Sequence, residues 1–421
     1  MKKYSMLAPG LLFGSIAMAQ SQNNGEIFQL NTITTAVPFL LITPDSEAGG
    51  MGDAGCATDL NGAAVHWNPA KLGNVKNDLE FNISYTPWLK ALVNDISLAY
   101  LSGYKKIDKN SSLGFGMRYF SLGLIQFTDN VGSNIGQFKP NEFAIDFAYG
   151  RKLGKYFSGG IAGRYINSNL TGGIPAQGQT TKPGRTGAVD VAWLYSKNDL
   201  KVGDGEGTFS VGMNISNIGA KISYTASTTK DFLPTNLRLG TAFQARPDQY
   251  NKFTVAVDFN KLLVPSPPLY DPTDATTIVS GVDRQTIGVA AGIISSFSDA
   301  PGYFEYDESG RVVRDDSGDP IIVKGSKFKE ELREINIGSG VEWWYANQFA
   351  VRGGYFHEHV TKGDRKYVTF GLGLKYKVFG LDISYLLSVK KQSPLANTLR
   401  FTMRFIFEKL KKSETPSLEE G

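Results

Sequence analysis

Apolar and polar side chains alternate with a period of two residues along most of this chain. The clearest case lies near the C-terminus, where Thr398, Arg400, Thr402 and Arg404 alternate with Leu399, Phe401, Met403, Phe405 and Phe407. Successive side chains of a strand point to opposite faces, so one face suits lipid and the other suits water. A strand of a soluble sandwich can show the same alternation. Long strands in series with aromatic ends favour a closed transmembrane barrel.

We predict an all-β fold, a 14-stranded antiparallel transmembrane β-barrel with an N-terminal hatch or plug segment. Single-chain bacterial barrels close with an even number of strands, so the segment 286–297 is interpreted as a short helix or folded loop piece. The predicted strands are 78–87, 92–104, 110–122, 140–153, 156–169, 186–197, 206–217, 234–246, 251–263, 331–346, 349–359, 366–378, 380–389 and 397–407.

The connections between these strands predict which end faces which compartment. Turns at one end are short, as in periplasmic turns, and most loops at the other end are long, as in external loops. The long loops are 123–139, 169–185, 219–233 and 264–330.

The chain divides into four predicted parts. Residues 1–19 have the features of a secretory signal: Lys2 and Lys3, an apolar run over 6–16, and the cleavage motif Ala17-Met18-Ala19. The N-terminal extension and hatch follow over 20–77, the barrel over 78–407 and a periplasmic tail over 408–421.

The composition argues against several other classes of protein. No later segment approaches the 18 or more apolar residues of a spanning helix, and the mean hydropathy is −0.19. The net charge of +4 comes without a clustered basic face, so nucleic-acid binding is not expected. The single cysteine, Cys56, cannot form an internal disulfide and is interpreted as a small buried residue.

The stretch from Glu47 to Gly73 precedes the first predicted strand and is rich in glycine and alanine. Glycine permits positive φ and close approach of two backbones. Pro69 fixes its own φ and restricts Asn68 to extended or turn conformations. We therefore expect a tightly folded plug, with strand glycines such as Gly114 and Gly371 leaving room for it at the inner wall.

This stretch resembles the hatch of the FadL-type outer-membrane barrels, and within that superfamily the chain most resembles the PorV (LptO) family of the type IX secretion system. The hatch residues that carry the resemblance are Gly49, Gly50, Gly52, Gly55, Asp59, Asn68, Pro69 and Ala70. The closer resemblance rests on TPDSEAGGMGDAG, SFSDAP, EWWYANQFAVRGGYF, KYVTFGLGLKYKVFGLDISYL and LANTLRF.

The resemblance implies a non-enzymatic subunit of the bacterial outer membrane, surrounded by lipid. Such a subunit docks beside a SprA (Sov)-type translocon, collects cargo by its C-terminal signal domain and delivers it to a PorU-type sortase in the attachment complex. The predicted partner contacts are apolar residues of two external loops, 169–185 and 219–233. They are Ile174, Pro175, Phe232, Leu233 and Pro234.

An alternative hypothesis keeps the same hatch and makes the chain a FadL-type transporter of hydrophobic small molecules. Such a transporter needs an apolar groove and a gap in the wall.

A barrel enzyme is disfavoured because no nucleophile or metal set with an oriented partner is found. His357 and His359 lack further ligands, so we predict no metal and no cofactor. The acidic stretch 306–319 lacks the order of a calcium loop and is interpreted as a solvated hairpin with two turns.

Five charged residues are predicted to face the lumen. They either form a ladder that binds the plug or give a solvated lining. They are Asp146, Arg238, Asp258, Arg400 and Arg404.

Overall fold

The computed structural model describes residues 21–23, 26–28, 30–89, 93, 95–128, 131–174, 180–225, 230–390 and 393–408. The predicted signal segment, Pro175 and residues 409–421 of the predicted tail lie outside these ranges.

Fourteen strands form one closed barrel, in which each strand pairs antiparallel with the next and the last pairs with the first. This confirms the predicted fold class. The strands are β1 Leu79–Pro87, β2 Ile96–Lys106, β3 Ser111–Leu122, β4 Asn141–Lys152, β5 Phe157–Asn169, β6 Gly184–Val202, β7 Gly205–Gly219, β8 Asn236–Arg246, β9 Asn251–Leu262, β10 Asn336–Tyr345, β11 Phe349–His357, β12 Lys366–Tyr376, β13 Phe379–Ser388 and β14 Thr398–Phe407.

The two-residue alternation sorts side chains between lipid and lumen as expected. On β12, Phe370, Leu372 and Leu374 are each more than half exposed on the outer surface, whereas Thr369 is fully buried inside. Pairing every strand leaves no open edge in the wall, which satisfies the backbone hydrogen bonds without water. None of the helices in the described residues is long and apolar enough to cross a membrane.

The barrel has a short-turn end and a long-loop end, here called the inner end and the outer end. At the inner end, β6 and β7 are joined by only two residues, and β12 and β13 also by two. At the outer end, the connection from β9 to β10 runs from 263 to 335. Short turns mark the periplasmic side of such barrels, so the inner end faces the periplasm.

The hatch consists of short helical segments joined by irregular chain. These are the 3-10 helix Pro38–Leu41, α1 Ser46–Gly49, α2 Ala64–Trp67 and the 3-10 helix Pro69–Asn74. Proline begins both 3-10 helices, where its missing N–H is not needed. Apart from a few positions, the hatch is buried from Ala36 to Gly73.

The external loop between β9 and β10 has its own small structure. It contains a hairpin of Leu269–Asp271 with Asp274–Ser280, then α3 Val289–Ser295 and α4 Ser326–Arg333. The predicted short helix within 286–297 is therefore confirmed. The acidic stretch forms two turns in which Asp307 and Asp315 accept backbone N–H groups within the turn, as the hairpin interpretation predicted.

A charge at the middle of the lipid-facing surface should destabilise this barrel more than one at its edge. Phe370→Arg places a cation near the centre of β12 and should reduce the free energy of unfolding by about 2–4 kcal/mol. Tyr376→Arg, at the inner end of the same strand, should cost about 0–1 kcal/mol. Urea unfolding in lipid vesicles measures both. Equal losses would contradict the assigned membrane position.

Candidate functional site: the hatch and the outer mouth of the barrel

Asp258 of β9 fixes the centre of the hatch. Its Oδ2 accepts the backbone N–H groups of Gly55 at 2.8 Å and of Cys56 at 2.9 Å. The Asp258 side chain is fully buried, and a carboxylate that accepts two N–H groups gives strong, charge-assisted hydrogen bonds. Cys56 is itself fully buried, in agreement with the prediction. The hatch therefore has a fixed position against this strand.

Glycines of the hatch lie against glycines of the wall. A Cβ added to Gly50 would lie 3.0 Å from the Cα atom of Gly371 on β12. Gly52 has φ of 65° and lies against the backbone of β11, where a Cβ on Gly354 would clash with its nitrogen. Any side chain here would force hatch and wall apart. The predicted role of Gly371 in making room for the plug is confirmed.

Gly49 and Gly55 are each close to a large side chain. A Cβ on Gly49 would lie 2.8 Å from Nη1 of Arg400, and one on Gly55 would overlap the ring of Trp67. The Trp67 ring is in turn oriented by the Asp45 carboxylate, which accepts its Nε1–H at 2.6 Å. Asp45 also caps α1 by accepting the Ala48 N–H.

The Asn68-Pro69-Ala70 motif joins the hatch to the far wall. The Asn68 amide donates to the carbonyl of Cys56 at 3.1 Å and to that of Trp193 on β6 at 3.1 Å, and its oxygen accepts the Ala70 N–H at 2.9 Å. Pro69 and Ala70 press against Gly160 of β5. One amide thus connects two parts of the hatch and the barrel.

Charged side chains complete the attachment of the hatch. Arg404 of β14 donates to Glu47 at 2.7 Å. Asp59 accepts Gln244 at 2.7 Å and Lys252 at 3.0 Å. These contacts place the acidic residues of the hatch opposite polar and basic residues of the wall.

The predicted lumen charges mostly contact the hatch. Arg238 lies over the Trp67 ring with its Cζ 4.5 Å from the centroid, and Arg400 lies 3.8 Å from Asp53. Asp146 is different, because it pairs within the wall with Arg118 and Arg164. Asp146, Asp258 and Arg400 are almost fully buried and Arg238 nearly so. Four of the five residues therefore contact the plug, as the ladder interpretation predicted.

A cavity of about 460 Å³ lies between the hatch and the outer loops. Asp53, Arg238 and Arg400 contribute to its polar part, and side chains from the hatch, strand ends and loops contribute its apolar part. The apolar residues include Ile33, Pro38, Leu41, Ile42, Trp67, Trp88, Leu262, Phe356, Leu386 and Leu395.

Three predicted partner contacts are not on the surface. Phe232 and Leu233 are 3% and 1% exposed, and Pro234 is also buried. Leu233 packs in an apolar cluster with Phe39 and Leu40 of the hatch. The prediction that these residues are exposed for a partner is wrong, because Leu233 packs against the hatch and Phe232 lies against Lys221 and Gly292 of α3.

Of the other two predicted contacts, Ile174 is half-buried, and Pro175 lies outside the described residues.

Several strongly exposed apolar residues lie instead on or next to the helices of the β9–β10 loop. Ile294 and Phe297, in and after α3, are 74% and 53% exposed, and Phe328 and Leu332 of α4 are 71% and 53% exposed. The i, i+4 spacing of Phe328 and Leu332 places them on one face of α4. That spacing is visible in the sequence, but the predictions for this loop concerned only the segment 286–297 and the acidic residues.

An ion-pair network holds α4 in place. Glu334 accepts Lys261 at 2.7 Å and Lys362 at 3.0 Å, and Lys362 also binds Glu330 at 2.8 Å. Burial would raise the pKa of Glu334, but the two lysines lower it below its usual value. The loop is thus attached to β9 and to the β11–β12 connection, so the exposed face of α4 is ordered.

The histidines do not form a metal site. His66 packs on the Trp67 ring inside the hatch. His359 lies beyond the end of β11, where burial and the nearby Arg333 lower its pKa to about 4. Among the described residues, no group of three or more histidine, cysteine or acidic side chains is placed to hold a metal ion.

The closed strand ladder, the lipid-facing belt and the packed hatch define an outer-membrane β-barrel with an internal plug. The model of the family described as type IX secretion system protein PorV matches residues 25–269, more than half of the chain. The chain belongs to this family, which is one of secretion proteins and not of enzymes. It resides in the bacterial outer membrane.

Two solved structures are similar to this chain at low sequence identity. The Pseudomonas putida toluene transporter TodX is 10% identical, with 90% of this chain and 98% of that chain covered and a TM-score of 0.45. A Pseudomonas aeruginosa FadL homologue is 9% identical, with 90% and 99% covered and a TM-score of 0.40. No curated protein matches the chain.

Removing the Asp258 carboxylate should loosen the hatch. Asp258→Ala leaves two buried N–H groups without an acceptor, at a cost of about 1–3 kcal/mol each. The buried Cys56 thiol should then react with a maleimide about tenfold faster or more, in the folded barrel in detergent. Asp199→Ala is the matched control, because Asp199 pairs with Lys155 at the inner end, away from the hatch. Equal Cys56 reactivity in both variants would contradict the assigned role.

Proposed function

We propose that this chain is a partner-binding barrel subunit of the type IX secretion system. It binds a SprA (Sov)-type translocon, receives cargo that carries a C-terminal signal domain, and passes the cargo to a PorU-type sortase in the attachment complex. The partners act at the outer rim of the barrel, and the lumen stays closed by the hatch. Membership of the PorV family supports the secretion role.

The single observation that carries this proposal is the ordered apolar surface on α3 and α4. Ile294, Phe297, Phe328 and Leu332 expose large side chains to the outside, and α4 is fixed by ion pairs at Glu330 and Glu334. Apolar side chains on a preorganised surface bind a partner with little loss of conformational entropy. This surface replaces Phe232, Leu233 and Pro234 as the contact region.

The second candidate function is transport of hydrophobic small molecules, and the outer cavity favours it. The strand pairing of the barrel wall argues against transport. All fourteen strand pairs are hydrogen-bonded, and the register shifts in the barrel ladder of the described residues lie between β6 and β7. At the shift near Asp190, the Asp190 carboxylate accepts the Asn217 N–H at 2.8 Å, and Arg164 donates to both side chains. Side chains therefore fill this irregularity and leave no lateral gap.

Deleting the gene should separate the two functions. We expect cargo with C-terminal signal domains to accumulate in the periplasm, whereas uptake of hydrocarbons is unchanged. Immunoblots of periplasmic and culture fractions measure the first, and uptake of labelled hydrocarbon measures the second. Re-expression of the wild-type chain is the control. Normal cargo secretion in the deletion strain would contradict the proposal, and a selective loss of uptake would establish the transporter instead.

A charge on the exposed face of α4 should weaken partner binding without unfolding the barrel. Phe328→Asp removes an apolar contact worth about 1.5–3 kcal/mol, so translocon recovered with the barrel in mild detergent should fall by about tenfold or more. Ser317→Asp adds the same charge to an exposed turn of the same loop and should have no effect. If Phe328→Asp retains normal recovery, α4 is not the contact surface.

A further inference from the structure

The described N-terminal segment 30–36, here called the N-terminal arm, lies at the outer end of the barrel. The backbone N–H of Asn31 donates to the carbonyl of Thr361, in the β11–β12 connection, at 3.0 Å. The N–H of Ala36 donates to the carbonyl of Phe232, in the β7–β8 loop, at 3.0 Å. Both acceptors belong to connections at the long-loop end.

The β9–β10 loop holds the arm from a third direction. Arg284 donates to Thr34 Oγ1 at 3.2 Å, and the Asn31 amide donates to Glu330 of α4 at 3.0 Å. Asn31 is therefore attached to the buried carboxylate that also binds Lys362. The arm is thus held by three separate connections at the outer end and not by a single loop.

From the arm, the chain runs down through the lumen to the opposite end. The carbonyl of Leu40 accepts from Arg118, close to the outer half of β3, at 2.9 Å. Asn74 reaches Ser158, next to the inner turn that precedes β5, at 3.1 Å. The first barrel strand then begins at Leu79, at the inner end. The hatch is therefore one full passage from the outer end to the inner end.

We propose that this passage places the N-terminal arm on the cell-surface side of the outer membrane and the C-terminal end on the periplasmic side. Fourteen strands alone would leave both ends of the barrel domain on the periplasmic side. The hatch adds one further passage, and fourteen plus one gives an odd total. The arm at residue 30 and the end of the last barrel strand at Phe407 consequently lie on opposite sides of the membrane.

The arm also forms part of the roof of the outer cavity. The arm lines the outer side of the cavity with Thr32, Ile33, Thr34 and Thr35, and Arg238 lines it from the lumen. The arm is held there by hydrogen bonds from Arg284 and to the buried carboxylate of Glu330.

Cysteine labelling on intact cells tests this topology. The native Cys56 is fully buried, so the wild-type chain gives no background signal. Leu30 is 40% exposed, and Leu30→Cys should react with a membrane-impermeant maleimide before the cells are permeabilised. Ser317→Cys, in an outer loop, should react in the same way. Gly154→Cys, in an exposed inner turn with no atom near its Cβ position, should react only afterwards.

Two results would overturn the proposal. Leu30→Cys that reacts only after permeabilisation, together with Gly154→Cys, would place the arm in the periplasm. Leu30→Cys that reacts in neither condition would show that the arm is not at the outer surface. Heat-modifiable migration in gels checks that each variant forms the barrel, so that a labelling result is read only from folded protein. A peptide tag inserted before residue 30 and detected by antibody on intact cells provides a second measurement that does not depend on thiol reactivity.

Discussion

This barrel depends on one buried interaction. The Asp258 carboxylate accepts two backbone N–H groups of the hatch and so fixes the plug to the wall. Fourteen strands enclose a space wider than their own side chains fill, because the diameter grows with strand number. The inward face of the wall carries charges, and a buried charge is costly unless it is paired and hydrogen-bonded. The hatch supplies partners for Asp258, Arg400 and Arg404. Wall and plug therefore stabilise each other.

Close backbone approach adds a steric constraint to this electrostatic one. Gly50 lies against Gly371 on one side of the barrel, and Ala70 lies against Gly160 on the other. A plug fixed to opposite walls cannot leave the lumen without breaking both sets of contacts. The docking role proposed for the outer rim requires no such change.

The alternation of side chains predicted all fourteen strands because the membrane and the lumen impose opposite requirements on neighbouring residues. Strand ends were less predictable. β6 runs to Val202, past the predicted end at 197, because its hairpin continues with polar residues that carry no membrane signal. The glycines of the hatch were recognisable for a steric reason, since close packing permits no side chain there. The contacts of Phe232 and Leu233 were not, because an apolar loop residue has the same appearance in a sequence whether it meets a partner or the chain's own hatch.

The path of the arm could not be predicted from the sequence either, for a geometric reason. An even strand number fixes where the barrel strands begin and end, but it does not determine how the preceding chain enters the lumen. That choice depends on contacts between residues hundreds of positions apart, such as Asn31 with Glu330. Once Asn74 meets the inner turn at Ser158 and Asn31 meets the outer connections, the direction of the hatch follows. A plug that enters from outside has its N-terminal arm among the outer loops, on the same side of the barrel as the proposed partner surface.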